Sequence, residues 1–506
     1  MIDCAADMNS RSFGRQKRII VMLSSTEFTA TCEEASYMER AFVPCYGEEN
    51  GDSTTFLHMK EKKKSKVLAT VRAYLNSYMF YVLQIIVALF FVWLKQEVWG
   101  AVFFGALLLT NLVICDDIRA TTLPFLIICT ITTNRYNSYS TFIVFAKYAP
   151  IALVCLIYHF VVYPKKFVCG ESAKGIFAVS IAVCFGGMGR FSLETYVYGA
   201  YYFFGLGFGM LLVYFLLRSQ FGDDTEEGRL KFAFLMTLMG VLCAGMIANG
   251  YYKLHTEILP ENYSAFSRNN LSTILMFAMP FPLYLAKKWK FAPVFSVITL
   301  CALSFTGSRG GFIFGCVEFV ACTALWIFSG GTKKSRKVRL IAFLSVIAVL
   351  AICLSPFIVK ILKHRFEPDL KSEMRFLMMR EAFMKFLKRP ISGYGLLDSE
   401  ILYESVRKKG SLTWYHMMVP QVIGGMGLIG VFCYAYQCVG RIRLALTKPG
   451  IWSLVLGISY LGVLMMSQVN PGEFCPLPFE FLAVLLFVMQ ETRLQTTRPL
   501  FWDKTK

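Results

Sequence analysis

The stretch TGSRGGF, Thr306 to Phe312, sets Arg309 among Gly307, Gly310 and Gly311, between two long apolar runs. Glycines allow a tight turn and let an approaching group reach the backbone. The amides that open a following helix add partial positive charge. An arginine beside such a helix start is a site for an anion, phosphate above all, because the guanidinium fork grips two oxygens at once. The plainer reading is an interfacial arginine that pairs with lipid headgroups or caps a turn. Other basic residues could join it. Arg190 and Arg268 each stand at the end of an apolar run, Arg375 and Arg380 lie in a long polar connection, and His416 opens the run in TWYHMMVPQVIGGMGLIGV. A histidine at a wet interface titrates near neutral pH and can move a proton, although a lone one is more often a polar end-residue.

The elements that position these residues can be read from composition. Of 506 residues, 56% are hydrophobic, 15% aromatic and only 17% charged, with mean hydropathy +0.52. Apolar runs of membrane-spanning length recur from residue 71 almost to the C-terminus. Lipid admits only helices and closed barrels, and the runs lack the alternation of barrel strands. The sequence therefore predicts an all-α polytopic membrane protein of about 14 transmembrane helices. They are expected at 71–94, 99–115, 119–133, 141–163, 175–189, 196–217, 230–250, 272–286, 289–307, 311–330, 339–360, 415–437, 451–469 and 477–490.

That count puts every basic cluster on one side with both termini: Lys60 to Lys66, Lys165–Lys166, Lys287–Lys288, the stretch GTKKSRKVR at 331–339 and RIRLALTK at 441–448. By the positive-inside tendency this side is cytoplasmic, and Arg190, Arg268, Arg309, Arg375 and His416 then share the outer face. Four arginines and a histidine there exceed what insertion requires. The net charge of +19 needs no nucleic acid, since basic flanks facing anionic lipid account for it.

Residues 1–70 read as a cytoplasmic segment, 71–490 as the transmembrane domain and 491–506 as a cytoplasmic tail. Residues 1–58 are polar and lack a signal-peptide pattern. Because MKEKKKSKVLATVRAYL from Met59 resembles an ordinary membrane-protein start, they are expected to be disordered or the product of an upstream start. A genuine small extension is the equal alternative. The sequence has 16 cysteines but no C-x-x-C pair. Most cysteines lie inside spans, and Cys475 is placed in an outside loop. This argues against a disulfide framework and a zinc site. No Walker loop or dinucleotide fingerprint occurs, so no nucleotide cofactor is expected.

The outer connection 361–413 carries many basic residues, which a loop of this length tolerates. Within it, RFLMMREAFMKFLKRP spaces Phe376, Met379, Phe383 and Phe386 as on a helix, with Arg380, Glu381, Lys385 and Lys388 elsewhere. That is an amphipathic helix on the outer surface, ended by Pro390 and a turn at Ser392–Gly395. It is either a basic helix lying on lipid or a lid over a lipid-linked anionic substrate.

The series TGSRGGF, then R-x-x-x-x-x-x-A-F within Arg375–Phe383, then KRPISGYG, then YHMMVPQVIGGMGLIGV resembles the O-antigen ligase and O-antigen polymerase superfamily over roughly residues 230–490. Order, spacing and side all agree, although Arg389 stands where that family often has His or Asn before the proline. The resemblance implies a GT-C-like glycosyltransferase on the outer face of the cytoplasmic membrane. Its donor would be a polyprenyl-diphosphate-linked oligosaccharide, and other polysaccharide-assembly proteins are candidate partners. It would use no cofactor and no metal, since arginines can neutralise the leaving diphosphate. Arg309 and Arg375 take that role, His416 orients or deprotonates the acceptor hydroxyl, and Arg190, Arg268, Arg380, Gly310 and Gly311 bind substrate. Polymerase is favoured mildly over ligase. The competing class is a lipid-linked oligosaccharide flippase, which should carry ionisable residues deep in its helices; only Lys147, Glu318 and Glu480 qualify.

Overall fold

An apolar chain in lipid satisfies its backbone only by coiling on itself, and the computed structural model is helical throughout. It describes residues 67–132, 147–165, 167–186, 203–222, 224–256, 267–329, 334–345, 348–349, 370–396, 415, 417–447, 449–470 and 472–494, and no strand occurs among them. The N-terminal half contributes α1 (Tyr78–Trp93), α2 (Glu97–Ile114), α3 (Thr122–Thr132), α4 (Ala149–Val162), α5 (Ser172–Gly186), α6 (Phe208–Gln220) and α7 (Glu226–Thr256). Next come α8 (Arg268–Ala278), the short α9 (Phe281–Leu285), α10 (Val294–Phe305) and α11 (Arg309–Phe328). The last group is α12 (Leu370–Lys388), α13 (Met418–Leu446), α14 (Ile451–Ser467) and α15 (Phe481–Leu494).

Among the described residues four helices are long and apolar enough to cross a membrane: Glu97–Ile114, Glu226–Leu254, Arg309–Phe328 and Met418–Leu446. The bent pair Val67–Leu75 and Tyr78–Trp93 makes a fifth. These coincide with the spans expected at 99–115, 230–250, 311–330, 415–437 and 71–94. Six shorter apolar helices fall where further spans are expected. Most of the expected span 339–360 and all of residues 1–58 lie outside the described residues.

Burial sorts helices that the sequence cannot tell apart. In α15 almost every residue from Phe481 to Glu491 is buried, as a helix apolar all round must be when it sits at the centre of a bundle. The still more apolar α4 buries only His159, whose Nδ1 lies 2.9 Å from the Leu112 carbonyl. Its remaining face, including Leu153, Val154 and Val161, is exposed, as expected of a helix whose solvent is lipid. Around the central α7 pack α1, α8, α9 and α10, and α11 pairs with both α10 and α14.

Two placements differ from the sequence reading. Arg441 is not a free basic flank: α13 runs on to Leu446, and Arg441 is buried. Its guanidinium lies 3.2 Å from Glu473 and 2.5 Å from Glu480, with Tyr460 and Phe487 beneath it. A buried cation needs such partners. The carboxylates come from the stretch between α14 and α15, which folds back among the helices. Cys475 in that stretch is accordingly buried rather than set in an open loop.

The sharpest departure from regular helix is inside α13. Gly427 there has φ 58° and ψ −151°, a conformation essentially reserved for glycine. The break separates the amides of Leu428 and Ile429 from their helical partners, the carbonyls of Gly424 and Gly425. The segment after α12 takes up all four groups. Leu428 N–H donates to Pro390 O (2.7 Å) and Ile429 N–H to Ile391 O (3.2 Å). In return Tyr394 N–H donates to Gly424 O (3.0 Å) and Gly395 N–H to Gly425 O (2.8 Å). Helix α5 closes the other side, with Gly186 against Met426 and the Ser392 carbonyl.

A methyl group at Gly427 would lie 2.5 Å from Pro390 O and 2.7 Å from Ile391 O. Gly427→Ala should therefore destabilise the purified protein by about 3 kcal/mol or more. Thermal unfolding in detergent measures this, with Gly440→Ala, which meets nothing within 4 Å, as the neutral control.

Candidate anion-binding site

Two helices begin alike. Ser267 precedes Arg268 at the start of α8, and Ser308 precedes Arg309 at the start of α11. Both arginines are exposed. The Ser308 hydroxyl caps α11 by accepting the Gly311 N–H (3.2 Å). It also donates to the side-chain oxygen of Asn269 (3.0 Å), the residue beside Arg268. One turn further on, the Ser272 hydroxyl lies 2.7 Å from the Arg268 carbonyl and 3.0 Å from the Thr306 hydroxyl. Thr306 Oγ1 in turn accepts the Ser308 N–H (3.1 Å).

The two helix starts are thus tied into one unit through their first turns. Gly307 makes this possible: its φ is 77°, and the Arg268 chain lies across it, with Cδ 3.5 Å and Nε 3.7 Å from the place a Cβ would take. Two guanidinium-bearing residues and the first-turn amides of two helices therefore share one end of the bundle. That is an arrangement for anions. Gly310 and Gly311 act here as spacers, since a Cβ on Gly311 would meet Ser272 at 2.7 Å and one on Gly310 would meet Val469 at 2.5 Å.

Val469 follows the end of α14, and the chain there reaches the next part of the site. The neighbouring Gln468 amide nitrogen lies 3.8 Å from the sulfur of Met418, the first residue of α13. A continuous set of contacts therefore runs from the Arg309 turn to the start of α13. His416 itself lies outside the described residues, as does Arg190. Their neighbours Tyr415, Met417 and Gly186 are described, and Gly186 packs against the break in α13.

Helix α12 forms within the stretch expected to hold an amphipathic helix. It docks on α13, with Ala382 3.0 Å from the place a Cβ on Gly424 would take, and Met378 and Ala382 pack with Tyr415. The apolar residues expected to form one face divide. Phe376, Met379 and Phe383 are exposed, whereas Phe386 is half-buried. Lys385, expected among the outward charges, is buried instead and pairs with Glu381 at 3.1 Å, while Arg389 stacks on Tyr394. Arg375 and Arg380 are exposed.

Sequence reasoning passed over Asn269, Gln421 and the kinship of the two helix starts. The signal was present as SRNN and SRGG at matching places. Of the ionisable residues singled out inside spans, Glu480 pairs with Arg441. Glu318 is buried against Gly462, and Lys147 lies over the Tyr148 ring. Among the described residues no group of three His, Cys, Asp or Glu could hold a metal ion.

Residues 294–435 match the Wzy_C family, described as O-antigen ligase. The match covers the Ser308 turn, α12, the Pro390–Gly395 segment and the break at Gly427. It bears out the resemblance to the O-antigen ligase and polymerase superfamily. No curated protein matches the chain.

Because the clash at Gly310 is with a side chain, it is removable. Gly310→Ala should cost about 1–3 kcal/mol from overpacking. Adding Val469→Ala should recover more than half of that loss, measured as thermal midpoints of the three variants against the parent protein.

Proposed function

We propose that this protein is a membrane glycosyltransferase that uses a polyprenyl-diphosphate-linked oligosaccharide as donor on the outer face of the cytoplasmic membrane. The observation that carries the reading is the pair of Ser–Arg helix starts locked together by Asn269 and Ser308. A diphosphate offers two anionic groups, and two arginines with two helix N-termini meet both. The O-antigen ligase match over the same turn supports a glycan-transfer reaction of this general type.

In this reading the acceptor hydroxyl oxygen attacks the anomeric carbon of the donor sugar. The bond from that carbon to the phosphate oxygen breaks, its electrons remain on the diphosphate, and polyprenyl diphosphate departs. Arg309 and Arg268 stabilise the charge that develops on it, and Arg375 and Arg380 from α12 add to the same field. His416 orients the acceptor hydroxyl and takes its proton. Arg190 is assigned to substrate binding. A diphosphate is already an activated leaving group, so the reaction needs no nucleotide outside the cell, and the arginines serve where other enzymes use a metal. Polymerisation of repeat units is favoured, with transfer to a separate acceptor as the second form of the same chemistry. About 14 spans with both termini cytoplasmic complete the proposed topology.

The test incubates purified protein with a polyprenyl-diphosphate oligosaccharide, without nucleotide or metal, and resolves products on a gel. A ladder of lengths is expected. Product only when a lipid A core is supplied would make the protein a ligase. No product in either case, with the lipid crossing between leaflets of vesicles, would replace transfer by transport. Arg309→Lys, which keeps the charge but loses the fork, should lower turnover by about 10²-fold, and full activity would remove the bidentate grip.

A further inference from the structure

Gln421 is buried in the first turn of α13, and both ends of its side-chain amide are committed. Its oxygen accepts the Tyr415 N–H (3.0 Å), and its nitrogen donates to the Leu396 carbonyl. Neither bond belongs to a helix ladder. The two backbone groups are themselves in buried residues, so a side chain that could not reach both would leave a desolvated polar group unpaired.

The Tyr415 backbone held in this way leads straight into His416, the next residue of the chain. Tyr415 also packs against Met378 and Ala382 of α12. Met417, on the other side of His416, joins the same apolar cluster, and Met418 touches Gln468. We infer that Gln421 is a positioning residue: by bridging the Tyr415 amide and the Leu396 carbonyl it fixes the backbone at Tyr415, the residue that precedes His416 in the chain. This deepens the reading in which His416 acts on the acceptor hydroxyl, and it rests on that reading.

In a side chain of this length and shape, an amide or a protonated carboxylic acid can accept from Tyr415 and donate to Leu396 at once. Leucine keeps the volume and loses both bonds. Gln421→Leu should leave KM for the lipid-linked donor within about threefold while lowering kcat about 10–100-fold, the effect of misplacing a reacting group rather than losing binding. Gln421→Glu gives a signature that packing alone would not produce. At alkaline pH its carboxylate faces the Leu396 carbonyl with no proton to offer. At acidic pH the carboxylic acid restores both bonds, so activity relative to the parent protein should rise as pH falls from about 8 to about 6.

The experiment measures steady-state transfer by the full-length protein in lipid nanodiscs for Gln421→Leu, Gln421→Glu, His416→Ala and the double variant His416→Ala/Gln421→Leu. If Gln421 acts through His416, the double variant is no slower than His416→Ala, because effects transmitted through one group do not multiply. Losses that multiply would overturn the inference, as would a Gln421→Leu enzyme with unchanged kcat. Should Gln421→Leu fail to fold, the pH series of Gln421→Glu decides, and a ratio to parent activity that is flat in pH rejects the inference. Full turnover by His416→Ala would instead remove the assignment of His416, and with it the role given to Gln421. Loss in His416→Ala beside an unaffected Gln421→Leu would reject the positioning role alone.

Discussion

The break in α13 at Gly427 is the constraint on which the arrangement of this end of the bundle depends. A helix interrupted inside an apolar bundle exposes amides and carbonyls that no water can satisfy, each at a cost of several kcal/mol in lipid. Here the deficit is four groups, and the Pro390–Gly395 segment supplies four complementary ones in matching order. Two stretches separated by some thirty residues therefore fold as one piece. Because α12 leads directly into that segment, the break also fixes the C-terminal end of α12, whose Ala382 rests on Gly424. Helix α5 seals the same place with Gly186. A regular helix in place of the break would leave the loop without partners and α12 without a seat.

The paired helix starts solve a different problem by similar means. Two arginines at neighbouring positions repel each other, and their first-turn amides add to the positive field. What keeps them together is short and neutral: hydroxyl and amide side chains of Ser308, Asn269, Ser272 and Thr306 linked by hydrogen bonds near 3 Å. The geometry is held because Gly310 and Gly311 let α11 pack closely against Val469 and Ser272. Preorganised positive charge at a low-dielectric edge is the arrangement that stabilises a departing diphosphate most, since nothing must reorganise as charge develops.

The sequence revealed the class of fold because lipid leaves so few options, and it pointed to the Arg309 turn because glycines around an arginine between two apolar runs stand out from their surroundings. It placed Arg375 and Arg380 in a helical stretch and Arg309 and Arg268 just outside apolar spans, and the structure makes the last two the first residues of helices. It could not show which partners those helices choose. α4 is the more apolar of the two, yet it is peripheral and α15 is the core, because composition records solubility in oil and not position within it. Arg441 looked like a cytoplasmic flank, since nothing in RIRLALTK announces that Glu473 and Glu480 fold back to meet it. Lys385 seemed an outward charge for the same reason. Gln421 was hidden because a single glutamine in an apolar run looks like tolerance rather than design, and only the positions of Leu396 and Tyr415 give its two bonds meaning.

The two halves of the proposed site are joined by helix ends rather than by loops, and this bears on how transfer could be made specific. The turn carrying Arg309 rests on Val469, and the adjoining Gln468 touches Met418, two residues beyond His416. The end of α14 thus acts as a gauge between the group proposed to hold the leaving diphosphate and the segment proposed to receive the acceptor. Helices packed through their small residues do not change spacing easily, since interiors respond to misfit by strain rather than flow. A fixed separation suits a reaction in which leaving oxygen, anomeric carbon and attacking oxygen must fall in line.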